Sequence, residues 1–337
     1  MKTAALPRGA TSTLLSRFQS GDRAALGRLI SYVEDRSDGY HTLLSKVFKH
    51  EAAAYRIGVT GPPGAGKSSL VNRLALKLAN DGHSIGVIAV DPTSPFTGGA
   101  VLGDRIRMQS LYGHDNIFVR SMATRGSPGG LASAAKDVCV LMEGFGFDLI
   151  FVETVGVGQV ELDVASVCDS VMVVFVPESG DAIQAMKSGL MEIADVFCIN
   201  KADRPGADRV KAELESVLEI RREVQRSIAA PDSPPPSLWN PPVEMASALK
   251  DEGIPALWQA VERHRAFRKS QEPQGHRRNR ARADLLMSIA ELSRTGLEAE
   301  LYDTPRIDDA VEAIVSGQSD PYTSARNLFG QWRTGGQ

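Results

Sequence analysis

The chain has 337 residues, enough for one large domain with appendages or for two domains. Hydrophobic residues make up 42% of it and the formal net charge is −3, which allows a sizeable core and argues against a general binder of nucleic acid or membrane surfaces. No apolar run approaches the roughly 20 residues that a membrane helix needs. The three cysteines are widely spaced without a CxxC pair, and the N-terminus lacks an apolar signal core, so we expect a cytoplasmic protein.

The first predicted elements are helices. Large apolar residues recur at spacings of three and four between residues 12 and 50, the period of an amphipathic helix. They include Leu14, Leu15, Phe18, Leu26, Leu29, Ile30 and Val33. We therefore expect an N-terminal helical extension over residues 1–50.

From residue 56 the pattern changes to short, continuous apolar runs. They read RIGVTG, SIGVIAVD, IFVRSM, DLIFVETVG, SVMVVFVPE, VFCIN and PPVEMASA, and helical stretches separate most of them. Such alternation is typical of a mainly parallel sheet flanked by helices, in which ligands bind beyond the carboxyl ends of the strands. We therefore predict an α/β domain over residues 51–265.

The C-terminal part follows a stiff connector. PDSPPPSLWNPP at residues 231–242 favours an extended, exposed loop before the last strand. Residues 263–282 form a basic segment that is either a solvated helix face or a surface for an acidic partner. Its cations are Arg263, Arg265, Arg268, Lys269, Arg277, Arg278, Arg280 and Arg282. We predict a C-terminal helical segment over residues 266–337.

GPPGAGKS at residues 61–68 matches the phosphate-binding pattern GxxxxGK[ST] between an apolar strand and a helical stretch. Gly61, Gly64 and Gly66 let the backbone turn its N–H groups toward phosphate oxygens. The following helix adds the positive end of its dipole. Lys67 would contact the outer phosphates, and the Ser68 hydroxyl would bind Mg²⁺, a hard ion that prefers oxygen.

NKAD at residues 200–203 follows an apolar run and points to guanine. The Asp203 carboxylate can accept hydrogen bonds from guanine N1–H and the exocyclic amine, whereas adenine would present an acceptor to it. SAL at residues 247–249 follows the last predicted strand, and there the backbone N–H of Ala248 would donate to guanine O6. NKAD alone also fits an ordinary helix start. Together with the phosphate loop it predicts a site for GTP and GDP.

Three acidic residues are candidate Mg²⁺ ligands beside Ser68. Asp91 ends the second predicted strand, Glu153 ends the fourth, and Asp104 lies in LGDRIRM between them. Each would join the ion directly or through water. Each also fits the role of a helix cap or a surface acid, Asp104 above all.

ETVGVGQ at residues 153–159 predicts a loop that senses the nucleotide. Gly156 would present its N–H to a γ-phosphate, and loss of that phosphate would release the loop. Val157 follows and cannot orient water, so we expect slow intrinsic hydrolysis, with Gln159 contributing only after the loop moves.

The loop PESGDAIQAMKSG at residues 177–189 follows a strand at the same edge of the sheet. Asp181 and Lys187 there would reach the phosphates or a partner. The alternative is a plain connector into the helical stretch 183–193.

These motifs together resemble the MeaB/ArgK family of P-loop GTPases. The similar stretches are GPPGAGKSSL, VDPTSPFTGGAVLGDRIRM, FVRSMATRGSPGGLA, GFDLIFVETVGVGQVE, GDAIQAMKSGLMEIAD and INKAD. The resemblance implies a P-loop NTPase fold and a homodimer that associates through C-terminal helices. It also implies a GTPase chaperone that gates delivery of the cofactor to an adenosylcobalamin-dependent acyl-CoA mutase and protects or reactivates that enzyme.

The resemblance further implies a role for each matching residue. Phosphate binding falls to Gly61, Pro62, Pro63, Gly64, Ala65, Gly66, Lys67, Ser68 and Ser69. Base binding falls to Asn200, Lys201, Asp203, Ser247, Ala248 and Leu249. The Mg²⁺ set is Ser68, Asp91, Asp104 and Glu153, and the catalytic candidates are Lys67, Asp91, Asp104, Glu153, Gly156 and Lys187. Glu178 departs from the family's PGxGD, which puts the conformation of the partner loop in question.

A metal-insertion GTPase and a nucleotide-dependent kinase are the alternatives. Metal insertion would need a cluster of cysteine or histidine, and the six histidines are scattered along the sequence. A kinase would need a pocket for a second substrate, and NKAD argues against ATP. The intact Lys67 and Glu153 argue against a scaffold that binds nucleotide without hydrolysis.

Overall fold

The computed structural model describes residues 8–48, 54–91, 108–123, 130–154, 160–177, 189–228, 239–271, 273–301 and 304–334. The chain divides into two compact units, Met1–Pro273 and Gln274–Gln337. Among the described helices, none has both the length and the apolar character that crossing a bilayer requires.

The larger unit is built on a seven-stranded sheet. The strands are β1 (Tyr55–Thr60), β2 (Ile85–Asp91), β3 (Ile117–Ala123), β4 (Leu149–Glu153), β5 (Ser170–Phe175), β6 (Val196–Ile199) and β7 (Val243–Met245). Their order is β3-β2-β4-β1-β5-β6-β7, and all the described pairs are parallel. Every apolar run predicted as a strand is a strand, and the predicted α/β P-loop fold is confirmed.

Helices alternate with the strands and precede them. Before the sheet come α1 (Arg8–Gln19), α2 (Arg23–Glu34) and α3 (Tyr40–Val47). Within it come α4 (Lys67–Asn80), α5 (Gly130–Phe145), α6 (Val160–Val167), α7 (Leu190–Ile193), α8 (Ala207–Ile228) and α9 (Ile254–Gln271). The N-terminal region is thus three helices, and α2 and α3 pack on α5 inside the larger unit.

The core covers the sheet and fixes its carboxyl edge. β1, β4, β5 and β6 are buried along their whole length, as expected for parallel strands covered on both faces. One buried cluster joins α4 and α9 to the sheet. The loop after β1 leads into α4, β4 ends at Glu153, and the segments after β6 and β7 begin at Asn200 and Ala246. The predicted motifs therefore converge on one edge of the sheet.

The opposite, amino edge of the sheet holds α9 through a buried chain of polar side chains. The Tyr55 hydroxyl pairs with Ser170 Oγ at 2.5 Å, and Ser170 Oγ pairs with His264 Nδ1 at 2.6 Å. His264 Nε2 lies 3.2 Å from Asp195 Oδ1. Burial raises the pKa of Tyr55 above its ordinary value, because the charged phenolate would lose its hydration there.

The smaller unit contains α10 (Pro273–Leu301) from its second residue on, α11 (Pro305–Val315) and α12 (Pro321–Thr334). Asp320 caps α12, because its Oδ1 accepts from the backbone N–H groups of Tyr322 at 2.9 Å and Thr323 at 3.0 Å. α10 exposes several large apolar side chains. They are Leu285, Leu286, Ile289 and Leu292.

Candidate functional site

The phosphate loop depends on glycine at two positions, between the end of β1 and the start of α4. Gly61 has a φ of 135° and Gly66 a φ of 84°, in the region that favours glycine. A Cβ on Gly61 would lie 2.2 Å from the carbonyl oxygen of Val174, and one on Gly66 would lie 2.4 Å from Asn200 Nδ2. Both conformation and space therefore require glycine there.

Lys67 is the first residue of α4 and curls its side chain back over the loop. Its Nζ donates to the carbonyl oxygens of Gly61 at 2.7 Å and Pro62 at 3.0 Å. Lys67 is buried. A fixed ammonium group thus lies beside the N-terminus of α4, and both favour an anionic ligand at this loop.

Ser68 and Glu153 meet next to Lys67. Ser68 Oγ donates to Glu153 Oε1 at 2.6 Å, and both residues are buried. Glu153 ends β4, where its Cα lies beside Val59 of β1 on one side and Ala89 of β2 on the other. A hydroxyl and a carboxylate oxygen held this close are the hard donors that Mg²⁺ prefers. The arrangement fits the predicted metal site.

Asp91 reaches the same edge of the sheet by its backbone. It is the last residue of β2, two positions beyond Ala89, whose partner across the sheet is Glu153. The side chain of Asp91 lies outside what the structure describes. Asp104, Gly156 and Lys187 also lie outside the described residues, as do Val157, Gln159, Glu178 and Asp181. Their roles stay predictions.

The two base motifs are joined to each other. Asp203 Oδ1 accepts a hydrogen bond from Ser247 Oγ at 2.6 Å. This bond lowers the pKa of Asp203 below its ordinary value, because it stabilises the charged carboxylate. The backbone N–H of Ala202 donates to Ala246 O at 3.0 Å. Lys201 has a φ of 57° between these contacts.

Asn200 connects the base motifs to the phosphate loop. Its Nδ2 donates to Ala65 O at 2.8 Å, and its Oδ1 accepts from the backbone N–H of Ala248 at 3.2 Å. Asn200 is 2% exposed. We predicted a base contact for this side chain, and in the structure both ends of its amide bond to backbone. The Ala248 N–H predicted to bind guanine O6 points at Asn200, so a base must share or replace that bond.

Phosphate-loop and base residues line one pocket of about 400 Å³. The predicted residues in its wall are Gly66, Ser69, Asn200, Lys201, Asp203, Ser247, Ala248 and Leu249. Leu249 is 82% exposed and lies at the rim. The other predicted phosphate-loop residues do not line this pocket. Asn200, which does line it, donates a hydrogen bond to Ala65 in the phosphate loop.

Five further residues line the pocket that were not predicted from the sequence. They are Asn72, Arg73, Leu76, Ser110 and Arg204. The first three follow Ser69 on α4 at spacings of three, four and seven, so a search along one helix face would have found them. Ser110 lies in a 3₁₀ turn (Gln109–Leu111) and meets Asn72, whose Nδ2 donates to it at 2.6 Å. No pattern in the sequence indicates Ser110.

Known proteins resemble this chain in sequence and in structure. A putative GTPase of Pyrococcus abyssi is 41% identical over 96% of this chain and 97% of its own length. A Caenorhabditis briggsae protein named methylmalonic aciduria type A homolog, mitochondrial, is 35% identical over 72% of this chain and 61% of its own. A solved structure described as LAO/AO transport system kinase has a TM-score of 0.67 and 26% identity, over 97% of this chain and 99% of that one.

The family comparison covers the sheet and the whole pocket. The model for the methylmalonyl-CoA mutase-associated GTPase MeaB matches residues 26–301, which include every strand and every wall residue of the pocket. The resemblance read from the motifs is thereby confirmed. The chain belongs to the MeaB family of P-loop GTPases.

Proposed function

We propose that this chain is a GTP-hydrolysing chaperone of an adenosylcobalamin-dependent acyl-CoA mutase, which gates cofactor loading and protects or reactivates the enzyme. The observation that carries the nucleotide part is the bridge that Asn200 makes between Ala65 and Ala248. The family description supports the mutase part, because it names association with methylmalonyl-CoA mutase. The name of the Caenorhabditis briggsae relative agrees with that assignment.

In this proposal the pocket holds the guanine and residues 61–69 hold the phosphates. A volume of about 400 Å³ lies in the usual range for small-molecule pockets. Asp203 accepts from guanine N1–H and the exocyclic amine, as an ionised carboxylate with acceptor atoms only can do. Lys201 and Leu249 contact the base from the loops beside it. Lys67 contacts the outer phosphates and opposes their negative charge.

Mg²⁺ would be held by Ser68 and Glu153, with Asp91 and Asp104 completing the oxygen donors. Support comes from the 2.6 Å contact of the hydroxyl with the carboxylate, both of them buried. When bound, the ion would neutralise charge on the phosphate oxygens. Gly156 and Lys187 are proposed to sense the γ-phosphate and the partner.

We also propose that the chain forms a homodimer and consists of three regions. The parts are residues 1–50, 51–265 and 266–337, and the last is the dimerisation segment. The apolar side chains that α10 exposes favour an interface on that segment. Sedimentation or light scattering of the purified chain tests it, since a monomer at micromolar concentration contradicts the dimer.

The deciding experiment measures GTP hydrolysis by the purified chain, alone and with a panel of cobalamin-dependent mutases. We expect a slow basal rate that one mutase raises severalfold or more. Lys67→Ala is the control, because it removes the ammonium group that binds the loop carbonyls, and it should abolish the stimulated rate. A fast basal rate that no mutase changes would contradict the chaperone. Equal turnover of ATP would contradict the guanine site and favour the kinase alternative.

A further inference from the structure

Arg73 on α4 contacts the loop that follows β7. We call residues 246–253 the base loop. Arg73 Nε donates to the carbonyl oxygen of Ala248 at 3.0 Å. The guanidinium also lies 3.9 Å from Asp251 Oδ1, in the same loop. The Arg73 side chain therefore bonds Ala248 and lies near Asp251 in the same loop.

Ala248 is held from two sides by this arrangement. Its N–H donates to Asn200 Oδ1 at 3.2 Å, and its carbonyl accepts from Arg73 Nε. Ala248 itself is buried. The backbone on either side of Ala248 is therefore restrained by Asn200 of the NKAD motif and by Arg73 of the helix that starts at the phosphate loop.

The rest of the base loop has its own internal bonds. Ser247 and Glu252 exchange backbone hydrogen bonds of 2.9 Å and 3.1 Å, and the Lys250 N–H donates to Ser247 Oγ at 3.2 Å. These bonds fix the two arms of the loop relative to each other. Among the described residues of α4, Arg73 is the one whose side chain bonds the base loop. Because α4 begins at the phosphate loop, this bond connects the two loops.

We propose that Arg73 is a positioning residue for guanine recognition: by bonding the Ala248 carbonyl it holds the base loop in place, so that the Ala248 N–H, which bonds Asn200 in this structure, lies where O6 of the base can share or replace that bond. This inference rests on the proposed binding of guanine nucleotides in the pocket. Arg73 also lines that pocket, between Ser69 and Leu76 on the same helix face. A change at Arg73 should therefore act on the part of the base that carries O6.

Arginine suits this place better than lysine does. Its planar guanidinium donates from Nε in a fixed direction, and here Nε lies near both the Ala248 carbonyl and the Asp251 carboxylate, whereas the ammonium group of lysine is a flexible point charge. The Arg73 side chain is 41% exposed, so water competes with both contacts. We expect its loss to weaken binding about tenfold, which is ~1.4 kcal/mol.

The test compares three diphosphates that differ only in the base. GDP and IDP both carry O6, and the diphosphate of 6-thioguanosine keeps N1–H and the exocyclic amine but carries a weakly accepting sulfur in place of O6. In Arg73→Met we expect GDP and IDP each to bind about tenfold more weakly, and the 6-thioguanosine nucleotide to change less than about twofold. Arg222→Met is the matched control, since Arg222 is 33% exposed, pairs with Glu219 on α8 and lies outside the pocket wall. It should change none of the three.

Arg73→Gln is measured in parallel and serves if the methionine variant fails to fold. Equal weakening of all three nucleotides would overturn the proposal, because the arginine would then act on the whole pocket or by its charge. Unchanged affinities would overturn it as well. If the unaltered chain binds none of the three, the guanine site itself is wrong, which is a different failure from binding that Arg73 does not influence.

Discussion

Replacing Asn200 with alanine tests the bridge between the two halves of the nucleotide site. The change deletes the amide that bonds Ala65 O at 2.8 Å and the Ala248 N–H at 3.2 Å. Asn200 is 2% exposed, so water cannot easily replace these bonds. Two hydrogen bonds at about 1 kcal/mol each, with the added cost of buried groups left unpaired, give a loss of about 2–4 kcal/mol in the free energy of unfolding.

The assay is chemical and thermal unfolding followed by circular dichroism, together with calorimetric titration of GDP. For a unit of this size the loss corresponds to a fall in melting temperature of about 4–7 °C. GDP should also bind at least tenfold more weakly, because both the phosphate loop and the base loop lose a fixed contact.

Asn116→Ala is the control for this experiment. Asn116 Nδ2 also donates to two backbone carbonyls, Ala79 O at 2.7 Å and His83 O at 3.0 Å, at the other end of α4. This variant should also lose stability, though less than Asn200→Ala because its two bonds are only part-buried, and it should keep its GDP affinity. If Asn200→Ala melts like the unaltered chain, or if both variants lose GDP affinity equally, the bridging role is refuted.

Three further predictions concern single positions. Gly66→Ala should cost more stability than Gly82→Ala. Both glycines have positive φ, but of the two only Gly66 would place a Cβ against a neighbouring atom, at 2.4 Å. Thermal melting of both variants measures the difference, and equal losses would mean that backbone conformation alone causes the destabilisation. Asp203→Asn should weaken GDP and improve xanthosine diphosphate, since an amide can donate to the O2 of xanthine; competition binding checks this, and an unchanged preference would contradict the base assignment. Burial raises the pKa of Asp195 to about 6 from 3.8. The folded state therefore binds more protons between these pH values, and stability should fall as pH rises through them; Asp195→Asn should flatten that slope in urea titrations, and a slope that persists would assign it to another group.

The sequence predicts the sheet well because buried parallel strands are continuous apolar runs. Ile57 and Val174, for example, lie in such runs and are completely buried in the sheet. The phosphate loop is also readable, since Gly61 and Gly66 are required by backbone conformation and close contact. Residue type alone carries this information.

The partners of polar side chains are harder to predict. Asn200 bonds two backbone groups that are 135 and 48 residues away, and a carbonyl or N–H leaves no mark in the sequence. Arg73 belongs to no motif, and its role depends on how α4 lies against the base loop. The helical region before β1 was predicted as one extension, whereas turns around residues 20–22 and 35–39 divide it into three helices.

The long sequence separation across the Asn200 bridge has a consequence during synthesis. Translation completes the phosphate loop at residue 69, but the base loop follows only after residue 245. A ribosome-bound chain that ends before residue 200 contains the phosphate loop but no part of the proposed base site. A chain that ends before residue 246 contains Asp203 but lacks Ser247, which donates a hydrogen bond to it. The proposed base site is therefore complete only after the last strand of the sheet has been made.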